Sequence, residues 1–159
     1  MDLDTFKNRF LNKIQFDYEL AKFTWFGVGG KAEILFIVED LISLSDFLKN
    51  KPNELDILII GAGSNLLIRD KGFRGIVLIT KKLNKINIDK NHIITAEAGA
   101  TDADVARFAR NNLRGGLEFL LGIPGTIGGG VKMNSGAFGS EFKDVLVAVS
   151  YTHLRAHET

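Results

Sequence analysis

Residues 56–68 read DILIIGAGSNLLI. A short apolar run, bounded by turn residues, empties into two glycines one position apart, and such a run predicts a buried strand. The turn that follows admits more than one reading. In a Rossmann fingerprint, G-x-G-x-x-G leads directly into a helix whose amino end receives a pyrophosphate. Here the third glycine position is Leu66, and LLIRDKGFRG has neither helical spacing nor a cap. Residues 80–85 are basic and polar where an acidic ribose-binding residue belongs. The Rossmann reading is therefore set aside. In a second reading the successive backbone N–H groups of Gly61, Ala62, Gly63, Ser64 and Asn65 curl into a nest for a phosphate oxygen, helped by two glycines free to take positive φ. Each hydrogen bond to a charged group contributes about 1.5–3 kcal/mol, so three or four fix a diphosphate without a lysine. A plain tight turn between two strands, stabilised locally by Ser64 and Asn65, stands against it, and the stretch alone does not separate the two.

A second segment bears on that choice. Nine of the seventeen glycines fall within 115–139, and GIPGTIGGGVKMNSGAFG (122–139) carries most of them. Thr126 is placed to cap a short helix, IGGGVKMN. Each glycine in a helix costs up to about 1 kcal/mol relative to alanine, so three in a row serve stability poorly. They make sense if a flat or charged ligand lies against the helix backbone. Two amide-rich turns in one chain predict a long ligand, with a diphosphate in its middle, clasped from two sides.

The rest of the chain frames these two turns. The 159 residues suit one domain or two small lobes. Twenty basic and nineteen acidic side chains nearly cancel, which gives no basic face for nucleic acid or an anionic membrane. Cysteine is absent, which excludes disulfides, thiolate metal sites and a cysteine nucleophile, and suits a reducing cytosol. The first ten residues have no signal-peptide character, and no run approaches eighteen apolar residues. The spacing predicts helices over 3–13 and 40–50, the second stopped by Pro52, and strands over 32–38, 56–60, 66–70 and 76–80, with KGFRG as a turn. A hairpin is expected around 89–91, with His92 in its second strand. A capping box at Thr101 and Asp104 leads into a helix that buries Val105, Phe108 and Ala109. A last strand is expected over 144–150. His153 and His157 have i, i+4 spacing but no supporting ligand set, so no metal site is assigned.

GAGSNLLI, the GAT turn at 99–101, TWFGVGGKAE near the start and above all GLEFLLGIPGTIGGGVKMNSGAFGSEFKDV resemble the flavoprotein family of UDP-N-acetylenolpyruvoylglucosamine reductase. The likeness runs over about residues 20–149. It implies an α+β fold, a two-lobed FAD-binding domain of the vanillyl-alcohol-oxidase (PCMH) type. The expected division is a lead-in over 1–19, one lobe over 20–82, a second, incomplete lobe over 83–150, and a foreign or disordered tail over 151–159. It implies FAD as cofactor, NADPH as hydride donor, a small-molecule UDP-sugar substrate and a cytoplasmic role in peptidoglycan precursor synthesis. No nucleic-acid, membrane or obligate protein partner is implied. Carried over by position, Gly61, Ala62, Gly63, Ser64, Asn65 and Leu66 line the FAD, as do Ile123, Pro124, Gly125, Thr126, Gly128 and Gly129. Asn134, Gly136 and Ala137 lie close to the isoalloxazine or ribityl chain, although an asparagine after a helix is also a common cap. Phe138 and Ser135 depart from the family's more usual tyrosine and small apolar residue. The family's general acid, a serine supported by a glutamate and an arginine, belongs to motifs that 150–159 do not match. No catalytic residue is assigned, and the chain as given is expected to be inactive or nearly so, even if it holds flavin.

Two alternatives remain open at this stage: a flavin oxidase or dehydrogenase of the same fold, and a nucleotide-binding module without chemistry. Many members of the first kind anchor flavin covalently through Cys or His, but this chain has no Cys and His92 is read as a strand residue. Absence of bound flavin would mark the second.

Overall fold

The computed structural model describes residues 2–150. Asp2 caps helix α1 (Leu3–Phe10), its carboxylate accepting the Thr5 N–H at 2.9 Å. The helix presents Phe6 and Phe10 inward and stops before the predicted 3–13 span is complete; Leu11 is exposed. The chain then runs into β1 (Ile14–Glu19), a strand that the sequence did not announce. Only Ile14 of β1 is buried, so the strand lacks the apolar alternation that marks a sheet face. A 3-10 turn (Leu20–Phe23) leads to β2 (Lys31–Ile37), and Asp40 caps α2 (Leu41–Asn50) through the Ser43 N–H at 2.7 Å. Phe47 is the buried centre of α2. β3 (Ile57–Ile60) and β4 (Phe73–Ile79) complete a sheet of order β1-β2-β4-β3, antiparallel at β1 and parallel elsewhere.

The sheet is covered on both faces. On one, α1 and α2 bring Phe6, Phe10 and Phe47 onto Ile34, Phe36, Ile76 and Leu78, with Phe36 and Phe47 stacked at 4.1 Å. On the other, Leu20, Leu35, Ile60, Ile68, Val77 and Ile79 pack with Phe23 and Leu66. Two departures from regular alternation are coupled. Between Ala32 and Ile34 the β2–β4 register shifts, so that Arg74 and Gly75 oppose Glu33 alone. Gly75 sits at φ +124, where a Cβ would press on the Asp56 carbonyl. Its N–H leaves the ladder and donates to the Glu33 carboxylate at 3.0 Å. The residues expected to turn, KGFRG, thus supply the first three residues of β4 from Phe73. The expected strand over 66–70 is corrected to an irregular segment. Its alternation is right, with Ile68 buried between exposed Leu67 and Arg69, but no neighbouring strand pairs with it among the described residues.

Residues 86–145 build a third apolar cluster. The hairpin β5 (Ile86–Ile88) and β6 (Ile94–Ala96) turns at the expected place, with His92 in the turn at φ +67 rather than in a strand. Helix α3 (Asp102–Asn111) is capped by the Thr101 hydroxyl, which accepts the Asp104 N–H at 3.1 Å, while Asp104 turns its carboxylate to Arg107 instead of closing the box. Val105, Ala106 and Ala109 are buried there, and Phe108 only half-buried. A 3-10 turn (Glu118–Gly122), α4 (Ile127–Met133), a two-residue ladder of β7 (Gly136–Ala137) and β8 (Ser140–Glu141), and α5 (Phe142–Val145) follow. The strand expected over 144–150 does not form. Glu141 and Asp144 make a reciprocal capping box that starts a helix instead, and Val147 beyond it is 78% exposed. The tail at 151–159 lies outside the described residues.

Candidate functional site

β3 ends at Ile60, whose carbonyl accepts the Thr80 N–H at 3.1 Å and so completes the ladder. The chain then leaves the sheet. Among the described residues, none of the five N–H groups of Gly61, Ala62, Gly63, Ser64 and Asn65 donates to a backbone acceptor. Four of these residues are half-buried and Asn65 is exposed, so five successive donors are left without a backbone partner, the pattern a phosphate-binding nest requires. The two glycines do different work, contrary to the expectation that both serve positive φ. Gly63 alone takes it, at φ +71, and a Cβ there would overlap the Phe23 carbonyl. Gly61 keeps an ordinary backbone, and its missing side chain makes room for the Thr126 hydroxyl. That contact joins the first turn to the second.

The second turn keeps fewer of its donors free than the sequence implied. Ile127 N donates to the Ala100 carbonyl at 2.9 Å, Gly128 N to Ala98 at 2.8 Å and Gly125 N to Ile123 at 3.0 Å. Thr126 pairs with Thr101 in an isolated antiparallel bridge and stands at the N-cap of α4, yet its side chain makes no capping hydrogen bond. The amides of Thr126 and Gly129 are the ones without a backbone acceptor among the described residues. The three successive glycines separate in the same way. A Cβ on Gly128 would crowd Ala98, and one on Gly130 would enter the Phe142 ring. Gly129 faces open space, its nearest neighbour being the Thr126 hydroxyl at 3.7 Å. Protein packing accounts for the first and third glycines; a ligand surface is left to the middle one.

At the far end of α4, Asn134 closes the helix in the left-handed region at φ +46. Its amide donates to Glu141 at 2.7 Å and accepts the Lys143 N–H at 2.9 Å. The structure thus gives Asn134 the capping role, with its side chain engaged by β8 and α5. Gly136 and Ala137 form β7, and a Cβ on Gly136 would press on the Ser140 carbonyl. Ala137 and the Phe138 ring lie over Gly122. Ile123 and Pro124 lead from Gly122 into the Gly125–Thr126 corner, and Leu66 packs half-buried beside Ile60 under the nest.

The site carries one buried charge that the sequence reading missed. Asp102 is fully buried at the start of α3, its N–H donating to the Gly125 carbonyl at 3.2 Å. Neither carboxylate oxygen has a hydrogen-bond partner among the described residues, and burial pushes the group up to about 6. Among the described residues no cluster of His, Asp or Glu is arranged to hold a metal ion.

Comparison with known proteins matches the family described as "FAD binding domain" over residues 34–153. The chain belongs to that family. As an FAD-binding domain it has relatives in which it covers less than half of the partner's length. UDP-N-acetylenolpyruvoylglucosamine reductase of Orientia tsutsugamushi (strain Boryong) is 48% identical over 137 residues, 84% of this chain and 45% of the relative. The reductase of the same name from Pelagibacter ubique is 46% identical over 149 residues, 93% of this chain and 49% of the relative. The chain thus spans about half the length of the curated relatives it matches. The crystal structure of UDP-N-acetylenolpyruvylglucosamine reductase from Thermus caldophilus superposes with a TM-score of 0.65 at 32% identity, over 78% of this chain and 43% of that one. Alkyldihydroxyacetonephosphate synthase shares the fold alone, with a TM-score of 0.51 at 13% identity over 70% of this chain and 25% of that one. The fold is the α+β FAD-binding domain of the vanillyl-alcohol-oxidase type. The residues present fit an FAD in three respects: the five unspent amides, the open face at Gly129, and the Gly61–Thr126 contact that sets the two side by side.

Proposed function

We propose that the chain is the FAD-binding part of a cytoplasmic UDP-N-acetylenolpyruvoylglucosamine reductase, serving peptidoglycan precursor synthesis. The observation that carries this reading is the run of unspent amides at 61–65 set against the start of α4 through Gly61 and Thr126. The amides of Gly61, Ala62, Gly63, Ser64 and Asn65 hold the pyrophosphate, with the Ser64 hydroxyl and Asn65 amide in reserve. Leu66 fills the floor beneath them. Ile123, Pro124, Gly125, Thr126, Gly128 and Gly129 form the opposite wall, where the free amides of Thr126 and Gly129 point to the ligand and Gly128 lets α4 settle on Ala98. Asn134 fixes the end of α4 to β8 and α5, and so holds Gly136 and Ala137 where the flavin end of the ligand lies. FAD bound here would supply hydride transfer, taking hydride from NADPH for the enolpyruvyl double bond of the UDP-sugar, where a proton from a general acid must also be added to give the lactyl ether. The contribution of the chain's own residues is orientation: a fixed pyrophosphate and a rigid helix start leave the ring system one position relative to the backbone.

Two measurements test the reading. The purified chain, titrated with FAD, is expected to show a perturbed flavin absorbance spectrum and a higher melting temperature. A ligand at one hundred times its Kd adds about 2.7 kcal/mol to the folded state. No spectral change and no thermal shift would defeat the FAD assignment. NADPH oxidation dependent on the enolpyruvyl UDP-sugar, assayed with the chain within a protein as long as its relatives, tests the reaction itself. A flavin-bound protein of that length indifferent to the UDP-sugar would defeat the reductase reading and leave the flavin site standing.

A further inference from the structure

We propose that Trp25 is a stacking platform for the adenine ring of the dinucleotide, an inference that rests on the FAD reading above. Trp25 precedes the residues matched by the family model, 34–153. The stretch TWFGV at 24–28 joins none of the three apolar clusters. Trp25 and Phe26 are each 63% exposed. Yet the backbone beneath them is fixed. Thr24 is buried, and its hydroxyl donates to the Val28 carbonyl at 2.8 Å; Gly27 N donates to the Thr24 carbonyl at 3.2 Å. The loop is also tied to the nest and to the irregular segment that follows it. The Trp25 N–H donates to the Gly63 carbonyl at 3.0 Å, and farther on Gly30 N donates to Arg69 at 3.1 Å.

The nest therefore has two flanks. Gly61 abuts Thr126 and the start of α4, while Gly63 abuts Phe23, Thr24 and the Trp25 loop. A dinucleotide gripped at its diphosphate must send one ring system to each side. Gly129 and the β7–β8 hairpin occupy the α4 side, which takes the flavin. The opposite side carries an exposed indole on a fixed backbone whose own N–H bonds to the Gly63 carbonyl of the nest. An indole so placed suits a purine, because every base has a π-face and stacking asks for no particular hydrogen-bond pattern. Trp25 is favoured over Phe26 because its own amide makes the bond to the nest.

Trp25 is the chain's only tryptophan, so intrinsic fluorescence reports on it alone. ADP carries the adenine and the diphosphate without a flavin to absorb the emission. We expect ADP to quench the fluorescence and to compete with FAD. Calorimetry on Trp25→Ala should show FAD and ADP both weakened, by about tenfold, with Trp25→Phe restoring most of each. ADP that neither quenches nor competes overturns the proposal. So does unchanged FAD affinity in Trp25→Ala, a loss for FAD but not ADP, or a loss that appears in Phe26→Ala instead. Failure of the unsubstituted chain to bind FAD overturns the underlying assignment as well, and it shows before any variant is made.

Discussion

Three adjacent glycines in α4 have three different reasons to lack a side chain, and substitution separates them. Gly128→Ala and Gly130→Ala drive a methyl into Ala98 and the Phe142 ring, respectively. Overpacking of this kind typically costs 1–3 kcal/mol, so both variants should melt earlier by chemical denaturation. Gly129→Ala meets open space and gains helix propensity, up to about 1 kcal/mol, so the folded chain should be as stable or slightly more so. Its FAD affinity should nevertheless fall, because the methyl enters the surface left to the ligand. An unchanged affinity in Gly129→Ala would remove the wall at α4 from the site. Asp102 makes a second separable case. Its carboxyl is raised to about 6 by burial. The start of α3 favours the charged form by about 0.3–1 kcal/mol, less than the burial cost. Because the folded state holds the proton more tightly than the unfolded one, the group's contribution is fully favourable below the ordinary carboxylate pKa and is lost as pH rises through about 6. The loss is on the order of 3 kcal/mol. Asp102→Asn keeps the shape without the charge, so its stability advantage over the unsubstituted chain should be negligible near pH 4 and approach that figure near pH 8. Equal pH profiles for the two proteins in urea unfolding would show that the burial cost is relieved in solution.

Among the elements, the bulge where β2 meets β4 gives the sharpest expectation. Glu33 is a side chain used as a rung of the ladder, since it accepts the N–H that Gly75 turns away from its neighbour. Removing one partner of such a bond costs about 1–3 kcal/mol. Glu33→Ala should lower stability by that amount in equilibrium denaturation, while Glu33→Gln, which keeps an acceptor, should recover most of it. A Glu33→Ala protein as stable as its parent would mean that water replaces the carboxylate. Legibility varied among the elements for reasons visible in their residues. GIVLI within β4 is a continuous apolar run because a central parallel strand is covered on both faces, whereas ILII at 57–60 read as a buried strand although Ile59, on edge strand β3, is 57% exposed. α2 and α3 carried cap residues, Asp40 and Thr101, that placed their starts. β1 was silent because only Ile14 of its six residues is buried. The strand expected over 144–150 had the right side chains, but propensity cannot supply an edge to pair with. The start of β4 was hidden because Gly75 reads as a turn residue, and only the register against β2 reveals a bulge.

At the scale of the molecule, the two glycine-rich turns were legible as a pair, and their approach to one another is what makes a site of either. What the sequence could not show is how donors are distributed between them. Whether an amide is free depends on carbonyls far away in the chain, such as Ala98 and Ala100, which consume the N–H groups of Gly128 and Ile127. The reading of Asn134 turned on the same point, because the residues that engage its side chain, Glu141 and Lys143, lie in a hairpin and helix the sequence had read as a loop and a strand. Since the two walls belong to different apolar clusters, FAD spanning them should couple the sheet to residues 86–145. Amide hydrogen exchange should slow in both on FAD addition, in β3 and β4 as well as in α4; slowing confined to one would place the ligand on that wall alone.

The strand order β1-β2-β4-β3 has a consequence for how the molecule comes into being. β4 is the last of the four to be synthesised, and it is the one that lies in the middle. Until it emerges from the ribosome, β2 and β3 have no common neighbour, and the hydrogen-bonding edge of each that faces β4 is unpaired. The nascent chain cannot assemble this sheet by growing outward strand by strand in chain order; it must wait for its keystone.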